Sequence, residues 1–136
     1  MITVVTGPPC GGKSTLIEKE SKSGDIIVDM DRLALALTTP DTKPFEYDAR
    51  VRRVAMMARK AAVQEALKVA QGERYLGVWI IHTDPSPEER QTYRAFGARV
   101  VEVNPGKAEC LRRLESRPKQ NYPIARKVLD EYFSKR

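Results

Sequence analysis

The 136-residue chain holds only 2 cysteines and 1 histidine. Two cysteines in a chain of this length make no disulfide framework, so a reducing cytoplasm is the expected compartment. No apolar run approaches the roughly 20 residues that a bilayer crossing demands. The N-terminal MITVVTGPP has no charged segment ahead of an apolar one, so neither a secretory leader nor a membrane span is expected. Internal repeats, low-complexity tracts and a linker are also missing, and a single domain over residues 1–136 is expected. Hydrophobic residues at 41% and charged residues at 31% match a globular chain with one real core.

Charge is present in excess and unevenly spread. Lys plus Arg is 24 against 18 for Asp plus Glu, a net of +6. Residues 1–50 hold six basic and eight acidic side chains, whereas residues 51–136 hold eighteen and ten. A basic back half suits a polyanionic partner, either nucleotide phosphates or nucleic acid.

Hydrophobic patterning alternates short β-branched runs with helical periods. Ile2–Thr6, Ile26–Val28, Leu76–Ile81 and Arg99–Val103 read as buried strands. Helices are expected from Lys13 to about Lys22, over Leu33–Leu37, and from about Tyr47 to Gln71. Ser86-Pro87-Glu88-Glu89 is a capping box that starts a further helix ending near Gly97. Asn104-Pro105 is expected to cap a helix running to about Arg117, and a last helix is expected from Pro123 to about Phe133. Strands alternating with helices imply an α/β fold, a parallel sheet of about four strands with helices on both faces.

One segment carries specific chemistry. Gly7-Pro8-Pro9-Cys10-Gly11-Gly12-Lys13-Ser14, with Thr15 next, fits G-x-x-x-x-G-K-[ST] without a mismatch. It follows an expected strand and opens an expected helix, the context the pattern requires. Glycines let backbone N–H groups turn inward around phosphates, and the helix N-terminus adds partial positive charge. Lys13 would reach the β- and γ-phosphates, and the Ser14 hydroxyl could ligate Mg²⁺. Two patterns of guanine-nucleotide switches, N-K-x-D and D-x-x-G, do not occur. Nor does an Asp-Glu pair end the third strand, which runs into His82-Thr83-Asp84. A small ATP-dependent phosphotransferase is the remaining expectation.

Such an enzyme needs a carboxylate to orient the attacking hydroxyl and cations to neutralise the transferring group. Asp29 stands at the end of the second strand, where ligands of open parallel sheets sit, with Arg32 three residues on. Asp31 competes with Asp29 for the role of base. Arg113 and Arg117 are four apart in an expected helix that Pro118 breaks, so they would share a face. A helical lid over about 112–126 could close these arginines on donor phosphates and exclude water, with Lys119, Arg126 and Lys127 extending the positive surface. Tyr47, Arg50 and Arg53 could stack on or pair with a nucleic-acid strand. Trp79 and Met56-Met57 read as packing residues, and lone His82 as a pocket or core residue.

With these motifs in this order, the chain resembles the kinase domain of the 5′-polynucleotide kinase family, including phage-type kinases of 5-hydroxymethyluracil in DNA. GPPCGGKST, VDMDR, WIIHTDPSPEER and CLRRLESR carry the resemblance. It implies an adenylate-kinase-like three-layer fold, ATP and Mg²⁺ as donor and metal, and a nucleic-acid hydroxyl as acceptor. It further implies Asp29 as base, Lys13 and Ser14 on the donor and its metal, and Arg32 near the acceptor phosphate. Arg113 and Arg117 would act in the lid, and Thr83 and Asp84 would contact the acceptor. The chain departs from the family at Val28, where some members carry a basic residue, at His82, where an acidic residue is expected, and in lacking a fused phosphatase. Kinases of small nucleosides or nucleotides and zeta-toxin-type sugar-nucleotide kinases share the early motifs. A nucleotide-binding switch or packaging-type ATPase would instead need the acidic pair that is missing.

Overall fold

The computed structural model describes residues 1–119 and 122–136. Four strands, β1 (Ile2–Thr6), β2 (Ile26–Val28), β3 (Val78–Ile81) and β4 (Arg99–Glu102), form a parallel sheet in the order β2-β3-β1-β4. In register, Ile2 lies beside Val78, Thr3 beside Arg99 and Ile26 beside Val78. Six helices are present among the described residues: α1 (Lys13–Glu20), α2 (Met30–Ala36), α3 (Ala49–Gln71), α4 (Pro87–Ala95), α5 (Lys107–Leu114) and α6 (Tyr122–Ser134). The expected α/β architecture is therefore present.

The two faces of the sheet follow from the period of two along each strand. Ile2, Val4, Val28, Val78 and Ile80 meet Ala66 and Leu67 of α3 and Tyr93 of α4 in one apolar cluster. Val5 and Trp79 face the other way onto Leu16 and Ile17 of α1. Helices thus cover both faces, an arrangement compatible with a three-layer fold. Two satellite clusters complete the packing: Ala34, Tyr47 and Ala55 join α2 to α3, and Cys110, Leu114, Ala125 and Leu129 join α5 to α6.

This topology places the site. The central strand β1 feeds α1 on one face, while its neighbour β3 feeds α4 on the other. Adjacent strands whose connections leave on opposite faces open a crevice beyond their carboxyl ends. There the Gly7 amide donates to the Thr83 carbonyl at 3.1 Å, tying the two exits together.

Several boundaries differ from the sequence reading for identifiable reasons. Helix α2 begins at Met30 rather than Leu33 because the Asp29 side chain accepts from the Asp31 amide and starts it three residues early. Asp48 caps α3 in the same way, so Tyr47 lies outside that helix. The capping box at Ser86 and Glu89 forms as expected. Helix α5 is shorter at both ends than expected. Gly106, at φ 101°, is its N-cap in place of Asn104, and Glu115 is its C-cap. Arg117 therefore lies beyond the helix. Positions 120 and 121 of the expected lid lie outside the described residues.

At the opposite end of the sheet, Asp25 anchors β2 and β3. Its carboxylate accepts from the Lys22 amide at 2.9 Å, the Gly77 amide at 3.1 Å and Trp79 Nε1 at 2.9 Å. The Lys22 and Trp79 hydrogen bonds outweigh desolvation and hold its pKa below the ordinary carboxylate value. Replacing Asp25 with Ala should orphan the indole N–H and cost about 1–3 kcal/mol, measured as a lowered urea midpoint with unchanged slope. Since the folded pKa is depressed, this stabilisation is present above the unfolded pKa and lost as pH falls through the folded one. The wild-type and variant stabilities should therefore converge in acid.

Candidate active site

The loop from Gly7 to Gly12 packs tightly against the end of β4. A Cβ on Gly7, whose φ is 147°, would sit 2.0 Å from the Val103 carbonyl oxygen. Only glycine permits that approach. Gly12, at φ 97°, is the N-cap of α1 and leaves the helix with no side-chain cap and no acidic residue in its first turn. The first amides of α1 have no intrahelical acceptor, and the positive end of the helix is uncompensated. Lys13 is only 8% exposed. Its ammonium donates to the carbonyls of Gly7 and Pro8, both at 2.7 Å. Burial, and then the charge of Arg117, lower its pKa to about 8. Ser14 and Thr15 are exposed at the mouth of a cleft of ≈ 1550 Å³, which Pro9, Cys10 and Gly11 also line.

The acceptor-side wall comes from β2 and α2. Asp29 is 6% exposed and lines the same cleft. Desolvation, then the charge of Asp31, raise its pKa above the ordinary carboxylate value. A carboxylate raised in this way is a stronger proton acceptor than a solvated one. The two candidate bases are distinguished by their partners. Asp31 Oδ1 accepts from the Tyr47 hydroxyl, whereas the Asp29 contact is the Asp31 amide at 3.0 Å. Both carboxylates line the cleft; Asp29 is the more deeply buried and also accepts from the Arg32 amide. Arg32 is exposed and lines the cleft.

The lid side departs from expectation. Arg113 lies on α5, with its guanidinium on the Cys10 carbonyl at 3.0 Å and on Glu109 at 2.9 Å. Arg117 is not on the same helical face, because α5 ends at Leu114. It instead stacks over the Phe45 ring at 3.9 Å from the centroid, linking the turn after α5 to the loop between α2 and α3. Both arginines still line the cleft. Arg126 is held by Asp130 at 3.1 Å, and Lys119 is exposed.

Other expected contacts are redistributed. Thr83 and Asp84 line the cleft, but Asp84 is paired with Lys135 at 3.4 Å and Arg136 at 3.3 Å. Burial pushes the Asp84 carboxyl up, yet those two cations together bring it below its ordinary value. Arg50 does not reach the cleft. It is exposed and pairs with Asp48 at 2.8 Å. Tyr47 is 4% exposed and cannot stack on a nucleic-acid strand. Arg53 is exposed outside the cleft. His82 lines it with Nδ1 2.8 Å from the Tyr93 hydroxyl. Burial, then Arg59, lower its pKa to about 4, leaving it neutral at pH 7. Arg52, Arg59 and Phe45 were not anticipated in the cleft lining. The signal for the two arginines was their spacing of seven, which puts both on one face of α3, whose orientation is set by the packing of Ala55, Ala66 and Leu67.

No protein-family model matches the chain, and no curated protein is a significant match to it.

The close approach of Gly7 gives a direct test of the loop. Gly7→Ala should push the loop off β4 or strain it, with a stability loss of at least about 1–3 kcal/mol. Thermal and denaturant unfolding measure it. An unchanged midpoint would mean that the loop does not pack on Val103.

Proposed function

We propose that the protein is an ATP- and Mg²⁺-dependent kinase that transfers the γ-phosphoryl group to a hydroxyl on a nucleic acid, through an adenylate-kinase-like fold acting in the cytoplasm. One observation carries this reading. A buried lysine in an uncapped, glycine-built loop shares a single cleft with a buried, proton-hungry carboxylate at the end of another strand. A kinase needs both, because its nucleophile is an alcohol that must be aimed and deprotonated. A packaging-type ATPase would instead place an acidic pair at the end of β3, where His82-Thr83-Asp84 stand.

The loop fits a polyphosphate. The Gly7–Val103 approach leaves no room for side chains, the start of α1 carries no competing anion, and Lys13 is desolvated and awaiting a counter-charge. Mg²⁺ is commonly held by one or two protein oxygens together with substrate phosphates and water. Ser14, exposed at the first turn, is the hydroxyl that would meet it. The bound metal would supply neutralisation of the charge on the transferring phosphoryl oxygens.

The remaining roles belong to the chain itself. Lys13 exchanges the carbonyls of Gly7 and Pro8 for phosphate oxygens. Asp29 orients the hydroxyl and takes its proton, the Asp31 amide fixing its rotamer. Arg113 and Arg117 present guanidinium groups to the cleft that Asp29 lines. Arg117, over Phe45 until the donor binds, joins Arg113 on its phosphates and helps to exclude water, the competing acceptor.

Asp29→Asn separates capping from catalysis, because Asn caps a helix as well as Asp. The variant should keep its fold and its ATP affinity while turnover falls by roughly 10²–10⁴. The assay uses labelled ATP with 5′-hydroxyl DNA, 5′-hydroxyl RNA, hydroxymethyluracil DNA and free nucleosides. Transfer to none of them would overturn the kinase reading, and labelling of nucleosides alone would reassign the acceptor.

Lys13 gives a second expectation. Phosphate binding favours its charged form, so binding takes up a proton wherever the free protein's lysine is neutral. Nucleotide affinity should be flat below pH 8 and fall by up to about tenfold per pH unit above it. Calorimetric titration across pH 7–10 measures this. A pH-independent affinity would remove Lys13 from the contact.

A further inference from the structure

Arg52 and Arg59 are seven apart on α3, two helical turns, and so point the same way. Both line the cleft that Asp29 also lines. Neither has a carboxylate within ion-pair distance among the described residues. Of the other arginines lining the cleft, Arg113 is engaged by Glu109 and Arg117 by Phe45, while Arg32 lies beside Asp29, to which its amide and its charge are directed.

Arg59 is half-buried, its guanidinium donating to the Ile81 carbonyl at 2.9 Å and hydrogen-bonded to the Tyr93 hydroxyl. Glu89 feels the charge of Arg59, but its carboxylate is on the Ser86 amide at 2.9 Å and beside His82 Nε2 at 3.5 Å. Met56 lies between the two arginines in sequence, lines the cleft and is 44% exposed. Arg52 also borders an adjoining groove of ≈ 480 Å³ with Lys127, Pro123 and Ile124. Glu131 lines that groove as well, without an ion pair among the described residues.

Two partly desolvated guanidinium groups without counter-ions, flanking an apolar side chain, are costly unless an anion completes them. The donor phosphates are already provided for by the loop. We propose that Arg52 and Arg59 form a second anion site, which holds a phosphate carried by the acceptor while Met56 contacts its sugar or base. The reacting alcohol then belongs to a phosphorylated molecule, a nucleotide or an oligonucleotide, and not to a free nucleoside. The adjoining groove beyond Arg52 gives a following phosphodiester somewhere to run. This inference rests on the kinase reading for the word acceptor, but the anion site itself does not.

The test titrates thymidine, thymidine 3′-monophosphate and the dinucleotide TpT into protein saturated with Mg²⁺ and a non-hydrolysable ATP analogue. The same titrations in Lys13→Ala without the analogue cover the case in which the loop does not bind it. Wild type should bind both phosphates at least about tenfold more tightly than thymidine, the scale of charge-assisted hydrogen bonds. The Arg52→Ala/Arg59→Ala variant should lose that preference and keep its affinity for the ATP analogue. Tighter binding of TpT identifies a phosphodiester as the preferred anion, and tighter binding of the monophosphate identifies a terminal one. Equal binding of all three by wild type, no binding of either phosphate, or an undiminished preference in the folded variant overturns the site. If the double variant loses its cooperative unfolding transition, Arg52→Ala alone and Arg59→Lys are read in the same way, since Lys retains charge but not the fork. Failure of the kinase reading appears separately, as no transfer from labelled ATP while the phosphate preference persists.

Discussion

The arrangement depends on a lysine ammonium held out of water by two carbonyl oxygens. Burying a cation is costly, and Lys13 is retained in charged form near neutrality by Gly7 and Pro8 at 2.7 Å each. That geometry exists only because the loop curls under the side chain. The curl in turn requires Gly7 to touch the Val103 carbonyl and Gly12 to adopt a positive φ. The end of β4, the turn after β1 and the first turn of α1 are therefore one unit. Its net effect is to bring an uncapped helix terminus and a buried lysine into a cleft that Arg113 and Arg117 also line.

The same burial works with opposite sign across the cleft. Desolvation lowers the pKa of Lys13 and raises that of Asp29. Each group is moved toward its neutral form, and each would be restored to charge or function by what enters between them: phosphate for the lysine, an alcohol proton for the carboxylate. The pair Asp29 and Asp31 shows how neighbouring acids can be assigned different work by packing alone. Tyr47, buried between α2 and α3, engages Asp31. The negative charge of Asp31 then helps to raise its neighbour.

The local parts of this architecture were legible in the sequence because they are written in short-range chemistry. The β-branched runs, the Ser86–Glu89 capping box and the G-x-x-x-x-G-K-S spacing each fix their own structure within a few residues. What the sequence did not disclose depends on phase and on long-range partners. Helix α2 starts at Met30 because Asp29 doubles as a cap, a role that hydrophobic periodicity does not register. Arg117 looked like a helical neighbour of Arg113, but α5 ends at Leu114, three residues short of it. Arg50 and Arg53 drew attention as basic residues near the acceptor side, whereas the packing of Ala55, Ala66 and Leu67 orients α3 so that Arg52 and Arg59 line the cleft instead. Asp84 stands at a strand end, as a binding residue should, but the last two residues of the chain neutralise it. No local pattern could reveal a partner more than fifty positions away.

The Arg117–Phe45 stack adds a constraint on how the cleft can open. Phe45, at φ 66°, sits in a left-handed backbone conformation uncommon for a residue with a Cβ, and it belongs to the loop leading into α3. Arg117 belongs to the turn between α5 and α6. Their contact joins two loops that both line the cleft. Either the two loops move together or the stack must break before a bulky acceptor enters. A cation–π contact at a partly exposed site contributes only about 0.5–1 kcal/mol, small enough to break on the timescale of loop motion. Arg117 would then leave an aromatic face for a more strongly attracting anion, so filling the cleft weakens the tether that crosses it. Arg117 thus both lines the cleft and ties its two loops together, so an anion held there would compete with Phe45 for the same guanidinium.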